Sequence, residues 1–431
     1  MSVTIRRMFI THVSGIYWKN LRKQSIRLIS NETPTKERSP NDSFETNIPA
    51  SEPAKFQIAS LNKFDNSLII QNVESFKAAQ PNEVVIDVHY CTINPSDVLL
   101  SKNLYTYEPK LPITLGYELV GELVYIGKNA QDKGYKIGDK VIALNKERYG
   151  GFAEQCIAEV GDIWKIPSNL RSVDAVCLLN DYMSALVALE RVVTIDENDI
   201  ILVNVGLSGI GLAAADLATN VFRSQVLGIC INNEDASLIR NRGVFASLEY
   251  NEKKLLKRIE QIAGDKNIKA FLDGDGGEYF KKILKCYTDI YKSGTSLKNL
   301  LRDDNFTVVI HHLSREDHLR NYSLSHEGRV VIAGAAATKM DAQTGIEDGS
   351  FTITGFNLDE YRRKEPESYR QAGEEVLEFF EEGLIIPFHS MIFGLHKIND
   401  ALRFSSEGRT SAKVIIDIKD KERVDVVKIS E

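Results

Sequence analysis

Ile201-Leu202-Val203-Asn204-Val205-Gly206-Leu207-Ser208-Gly209-Ile210-Gly211 is the stretch whose residue types and spacing most plainly carry chemistry. An apolar run of strand type enters a glycine-rich turn and leaves into Leu212-Ala213-Ala214-Ala215. That strand-turn-helix order holds a dinucleotide pyrophosphate. Small residues at Gly206, Ser208 and Gly209 let backbone N–H groups approach phosphates, while Ile210 and Gly211 begin a helix whose first turn offers unpaired donors and partial positive charge. Ser208 stands where the motif has its second glycine, so another reading stays open, a turn that only lets helix and strand pack closely. The strand after this helix, Val226 to Ile231, ends at Asn232-Asn233, followed by Glu234 and Asp235. Asn232 is thus the candidate for the ribose hydroxyls, and Arg240 and Arg242 are the bases that follow it.

Elements of two kinds must position such a site. Residues 55–178 show short apolar or alternating runs bounded by Gly, Pro, Asn and Asp, among them Glu83 to Val88, Leu119 to Ile126 and Lys140 to Leu144. That pattern describes a β-rich domain. Residues 179–354 alternate strands with helices, as a doubly wound parallel sheet does, with an insertion near 287–315. Residues 355–419 hold an amphipathic helix, Ser368 to Glu382, and a terminal strand, Lys413 to Ile418, too little to fold alone, so they are expected to return to the first domain; 420–431 is a tail. The fold class is α/β.

The chain of 431 residues, 43% hydrophobic and 26% charged with a formal net charge of −7, argues against a nucleic-acid binder held by a broad basic face. No apolar run approaches a membrane span. Five cysteines occur without a C-x-x-C pair, which indicates neither a disulfide framework nor a cysteine-rich zinc site. His311-His312 and His318 read as a solvated loop. Residues 1–30 carry Arg6, Arg7, Lys19, Arg22, Lys23 and Arg27 and no acidic residue, as a mitochondrial transit peptide does. A disordered basic tail is the other account of them. Residues 31–54, with Pro34, Pro40, Pro49 and Pro53, read as a disordered spacer. The expected address is the mitochondrial matrix.

In order along the chain, Asn94-Pro95-Ser96-Asp97, Leu115-Gly116-Tyr117-Glu118 with Gly121-Glu122, Tyr135 to Val141, Gly151-Phe152-Ala153-Glu154 and Gly206 to Gly211 resemble the medium-chain dehydrogenase/reductases, and within them the zinc-free quinone oxidoreductases. The resemblance covers about residues 55 to 419. It implies a GroES-like catalytic domain, a Rossmann domain, a cleft between them, NADPH as hydride donor with NADH left open, and often a homodimer. Zinc-using relatives have Cys where Asn94 sits and His where Tyr117 sits, so the resemblance implies chemistry without zinc. The implied activity is hydride transfer to a quinone or an α,β-unsaturated carbonyl. Reduction of an enoyl thioester is an alternative, as is a cofactor-impaired interaction protein of the same fold.

The resemblance also suggests roles. Asn94 would contact substrate or nicotinamide ribose and Asp97 would orient a neighbouring donor; the same residues also read as a turn with an Asp helix cap. Tyr105 matches a proton-donating tyrosine of enoyl reductases, or packs as a loop aromatic. Ser184 matches a threonine that touches the nicotinamide half, or packs inside its helix. Ala236 stands where NADPH-using relatives carry a base, and Leu179-Asn180-Asp181 replaces a proline-containing stretch.

Overall fold

The structure is a computed structural model that describes residues 54–65, 67–105, 108–167, 169–205, 209–231, 233–250, 255–263, 268–273, 307–311, 328–333, 351–355, 357–407 and 412–426. The basic leader, the spacer up to residue 53, Gly206, Ser208, Asn232, most of 287–315 and the last residues of the tail lie outside them.

The first part of the chain forms β1 (Lys55–Leu61), β2 (Ile69–Glu74), β3 (Glu83–Ile93), β4 (Ile113–Thr114), β5 (Glu118–Ile126), β6 (Lys140–Leu144), β7 (Gln155–Glu159) and β8 (Ile163–Lys165). The middle forms β9 (Ile200–Asn204), β10 (Gln225–Cys230), β11 (Ala246–Glu249), β12 (Ile268–Asp273), β13 (Thr307–His311), β14 (Gly328–Ala333) and β15 (Phe351–Gly355). The end supplies β16 (His389–Gly394), β17 (Lys413–Asp417) and β18 (Val424–Val426). Three sheets result. A small one has the order β2-β1-β4, and a larger, largely antiparallel one runs β18-β16-β17-β3-β5-β6-β8 with β7 also paired to β3. The last three strands of the chain therefore join the sheet built by β3, β5, β6, β7 and β8, with β17 antiparallel to β3.

The third sheet is parallel, in the order β11-β10-β9-β12-β13-β14-β15. Every residue of β9 is buried, as a strand covered on both faces requires. The chain moves from β9 to β10 on one side and later to β12 on the other, so the order reverses at β9, where ligands bind in such sheets. Register pairs Asn204 with Asp273 at that point, and Asn204 Nδ2 donates to Asp273 Oδ1 at 3.0 Å. One expectation is corrected here. The stretch read as an insertion near 287–315 contains β13, a strand of the sheet itself, and His311 closes that strand rather than lying in a loop.

The helix Gly209–Asn220 packs on β9 through small residues, and Ile210 to Ala218 are all buried. Asp216, at 1% exposure, anchors it. Its carboxylate accepts from Arg242 Nε (2.9 Å), Asn220 Nδ2 (2.8 Å) and the Ile386 backbone N–H (3.0 Å), and the Tyr182 hydroxyl lies 2.8 Å away. Partners from three other segments, at Tyr182, Arg242 and Ile386, hold this helix in place. No helix among the described residues is long and apolar enough to cross a membrane.

Candidate active site

Strand register builds the centre of the site. Val414 of β17 lies opposite Ile93 of β3, so Lys413, one residue earlier, meets Asn94 across the strand ends. Cys91 lies opposite Leu119, so Thr92 meets Glu118, the first residue of β5. Lys413 Nζ lies 2.5 Å from Asn94 Oδ1, 3.0 Å from Glu118 Oε2 and 3.0 Å from Asp181 Oδ2, acceptors enough for its three N–H bonds. Asp181 comes from the helix Leu179–Leu186, all of whose residues are buried. Asn180 beside it closes the network: its backbone N–H donates to Glu118 Oε1 at 2.9 Å, and its Nδ2 donates to Asp181 Oδ1 at 2.8 Å and Asn94 Oδ1 at 3.3 Å. The Tyr117 hydroxyl donates to Asn180 Oδ1 at 3.2 Å. Thr92 Oγ1 donates to Glu118 Oε2 at 2.7 Å.

Burial alone works against charge on Lys413, yet Asp181 and Glu118 outweigh it and hold the ammonium above its ordinary pKa. Burial pushes the Asp181 carboxyl up, with Lys413 pulling the other way.

The residues singled out in the sequence fall into place unevenly. Asn94 is wholly buried, and besides accepting from Lys413 and Asn180 its Nδ2 donates to Thr92 Oγ1 at 3.0 Å and Glu118 Oε2 at 3.3 Å. A carboxamide has two donors and two acceptor positions, so none is left for a substrate. Asn94 is a positioning residue here, which corrects the expected substrate contact. Asp97 is also wholly buried and closes a capping box, accepting the Asn94 backbone N–H at 2.9 Å and that of Gly116 at 3.0 Å. The helix-cap reading describes it, and its two oxygens fasten the start of its own helix to the approach to β5. Ser184 donates its hydroxyl to the Asn180 carbonyl at 2.7 Å, as a packed helix serine does. Tyr105 is buried at 7% exposure, close enough to Tyr117 to help raise that phenol's pKa, after burial and Asp97. Arg240 bonds Ser247 and Ser237, seven residues into a helix that starts at Asn233, or roughly 10 Å along it. Its guanidinium nonetheless lies near enough to Cys230, the last residue of β10, to oppose the rise that burial and Asp235 impose on that thiol's pKa.

Burial pushes the Asp97 carboxyl from 3.8 up to about 7, against the two backbone N–H groups that favour its charge. The folded protein thus holds this proton more tightly than the unfolded chain does. The contribution is complete below the unfolded value of 3.8 and is lost as pH rises through about 7. Wild type should therefore lose stability relative to Asp97→Asn on going from pH 5 to pH 8, at no more than about 1.4 kcal/mol per pH unit. Urea unfolding of both proteins at the two pH values checks this, and a difference that does not change with pH would refute it.

Two described glycines test whether a dinucleotide fits. A Cβ on Gly211 would lie 2.6 Å from the carbonyl oxygens of Asn204 and Val205, so only glycine lets the helix sit this close to β9, the role of the motif's third glycine. A Cβ on Gly209 would lie 1.8 Å from Asp181 Oδ2. The helix start and Lys413 form a donor set suited to a diphosphate, with the Asp181 carboxylate standing between them.

Residues 80–168 match the family model of the alcohol dehydrogenase GroES-like domain. Quinone oxidoreductase-like protein 2 of Mus musculus is 26% identical over 366 residues, spanning 84% of this chain and 93% of the mouse protein. Among solved structures, the human synaptic vesicle membrane protein VAT-1 homolog-like protein superposes with a TM-score of 0.65 at 19% identity, covering 85% of this chain and 99% of that one. Mycobacterial Rv1454c, solved in complex with NADPH, superposes with a TM-score of 0.64 at 20% identity, over 84% and 100% of the two chains.

Proposed function

We infer that this chain, which belongs to the medium-chain dehydrogenase/reductase superfamily on its quinone oxidoreductase-like branch, is an NAD(P)H-dependent reductase that delivers hydride to a quinone or an α,β-unsaturated carbonyl without zinc. One observation carries the reading. The start of the Gly209 helix, where the fold binds a nucleotide phosphate, touches the same Asp181 that bonds Lys413 beside Asn94. The phosphate-binding end and the polar interior of the larger sheet thus converge at one carboxylate.

When bound, the nicotinamide would supply the hydride. The Gly209 helix start and Lys413 would hold its diphosphate, and Gly211 keeps that helix against β9. The acceptor is already electron-poor, so the protein's task is placement and exclusion of water. Asn94, Thr92, Glu118 and Asn180 hold Lys413 in a fixed position, and Asp97 ties the Asn94 turn to Gly116. Zinc independence is supported by chemistry: Asn94 and Tyr117 stand where zinc-using relatives carry Cys and His, and the Asn94 carboxamide oxygen takes an ammonium. In this reading Tyr105 hands its phenolic proton to the carbon or enolate left after hydride addition.

Asp181 against Gly209 favours a second reading, a fold kept without cofactor turnover. Titration calorimetry of the full chain with NADPH and NADH separates the two. Saturable micromolar binding of either, with oxidation of the bound nucleotide by a quinone or enone panel, is expected. No binding of either at millimolar concentration would defeat the reductase reading. The mitochondrial address expected from the basic leader belongs to the same proposal, so the protein isolated from cells should begin after about residue 20 to 35.

A further inference from the structure

Asp181 is the charged member of the buried cluster that no sheet strand supplies. It rides on the helix Leu179–Leu186, and its Oδ2 lies 3.0 Å from Lys413 Nζ and hard against Gly209, the first residue of a twelve-residue helix. Asp181 is 5% exposed and Lys413 7%, so water screens neither group appreciably. A cation and a helix start are the two features that hold an anionic ligand, and here the protein has placed its own anion between them. A separate observation lies at the end of β9, the strand against which the Gly209 helix is seated. Asn204, at 1% exposure on the last position of β9, has a buried Oδ1 with no hydrogen-bond partner among the described residues, at the point where the strand order reverses. A buried acceptor left without a donor is costly unless something binds there.

We propose that Asp181 is an intramolecular competitor for the diphosphate of a nucleotide ligand: it stands between Lys413 and the Gly209 helix, and the ligand binds by taking both from it. This deepens the nucleotide-dependent reading above and rests on it. Glu118 and Asp181 are two carboxylates around one ammonium, so an entering diphosphate meets excess negative charge at the helix start. Removing the Asp181 charge leaves Glu118 as the one charged partner of Lys413 among the described residues, and turns the third N–H bond of Lys413 from a charge-paired one into one that a diphosphate outcompetes. The same change withdraws a charge-assisted bond from the ligand-free protein. Neutral residue 181 therefore moves two readouts in opposite directions, tightening nucleotide binding while lowering the melting temperature. A carboxylate that only props up the site would weaken both.

The test uses the full chain as wild type, Asp181→Asn and Asp181→Ser, with ADP, NADPH and inorganic pyrophosphate as calorimetric probes and a thermal melt of each protein. Serine provides a second neutral variant should the asparagine variant fold poorly, and all titrations run at least ten degrees below the lowest melting temperature. The expected result is a dissociation constant for ADP and NADPH at least tenfold lower in the neutral variants, together with a lower ligand-free melting temperature. Unchanged or weaker binding in both variants, with wild type binding normally, would overturn the competitor and leave the reductase reading intact. Failure of all three proteins to bind ADP or NADPH at millimolar concentration would overturn the nucleotide reading itself, and this inference with it.

Discussion

Replacing Lys413 with methionine should lower the free energy of unfolding by about 3–5 kcal/mol, the range seen when one member of a buried ion pair is removed and its partners remain. Methionine is unbranched and close in volume to the lysine stem, so packing changes little and the loss reports electrostatics. What remains is Glu118, wholly buried, and Asp181, 5% exposed, with no other ion-paired cation on either among the described residues. Two buried carboxylates without a counterion take up protons instead of staying charged. The variant therefore regains stability as pH falls and loses it as pH rises. Urea unfolding at pH 5 and pH 8 should show the larger deficit at pH 8, and adding Glu118→Gln and Asp181→Asn to Lys413→Met should restore more than half of it. A deficit below about 1 kcal/mol at pH 8 would mean that the cluster is not ionised as drawn.

The magnitudes also bear on why the cluster exists. A buried lysine with two carboxylates rarely outperforms apolar residues of the same volume, because desolvation offsets most of the Coulomb attraction. Stability alone is thus a weak reason to keep it. Its position beside the nucleotide crevice, with displaced pKa values on Lys413, Asp181 and Asp97, is the arrangement found where charge has work to do on a ligand.

Local pattern made much of the fold legible. Glu83 to Val88, Leu119 to Ile126 and Lys140 to Leu144 show up as strands because turn residues bound them, and Ile200 to Val205 because a parallel strand buried on both faces is an unbroken apolar run. The strand at 307–311 passed for inserted sequence because its surroundings lack the alternation seen elsewhere. The site was legible only in part. Asn94 and Asp97 announce a turn, and their side chains are consumed by that turn and by neighbours that local spacing does not reveal. Lys413 looks like an exposed lysine opening a terminal strand. Its burial follows from the register of β17 on β3, a contact across 319 positions that no local window contains. Glu118 belonged to a quoted motif and Asp181 to a departure from family pattern, yet neither position alone signals that both meet one ammonium.

Gly211→Ala should cost about 1–3 kcal/mol of stability or more and weaken nucleotide binding, whereas Gly228→Ala should be close to neutral. Helix propensity by itself favours alanine over glycine at position 211 by about 1 kcal/mol, so the sign depends on what the new methyl group meets. At Gly211 it meets the carbonyl oxygens of Asn204 and Val205 at 2.6 Å and Val205 Cα at 2.8 Å. These are backbone atoms next to and within a strand paired on both sides, so they cannot turn aside. The helix must move instead, carrying Gly209 and the first-turn amides away from Asp181 and Lys413. At Gly228 the nominal overlap is tighter, 2.3 Å, but the atom met is Cδ1 of Ile239, the far end of a side chain with other rotamers. Chemical denaturation of both variants, with ADP titration of each, tests the pair. Equal losses at the two positions would show that proximity alone governs the cost, and that the close seating of the Gly209 helix on β9 is not what keeps the nucleotide crevice in shape.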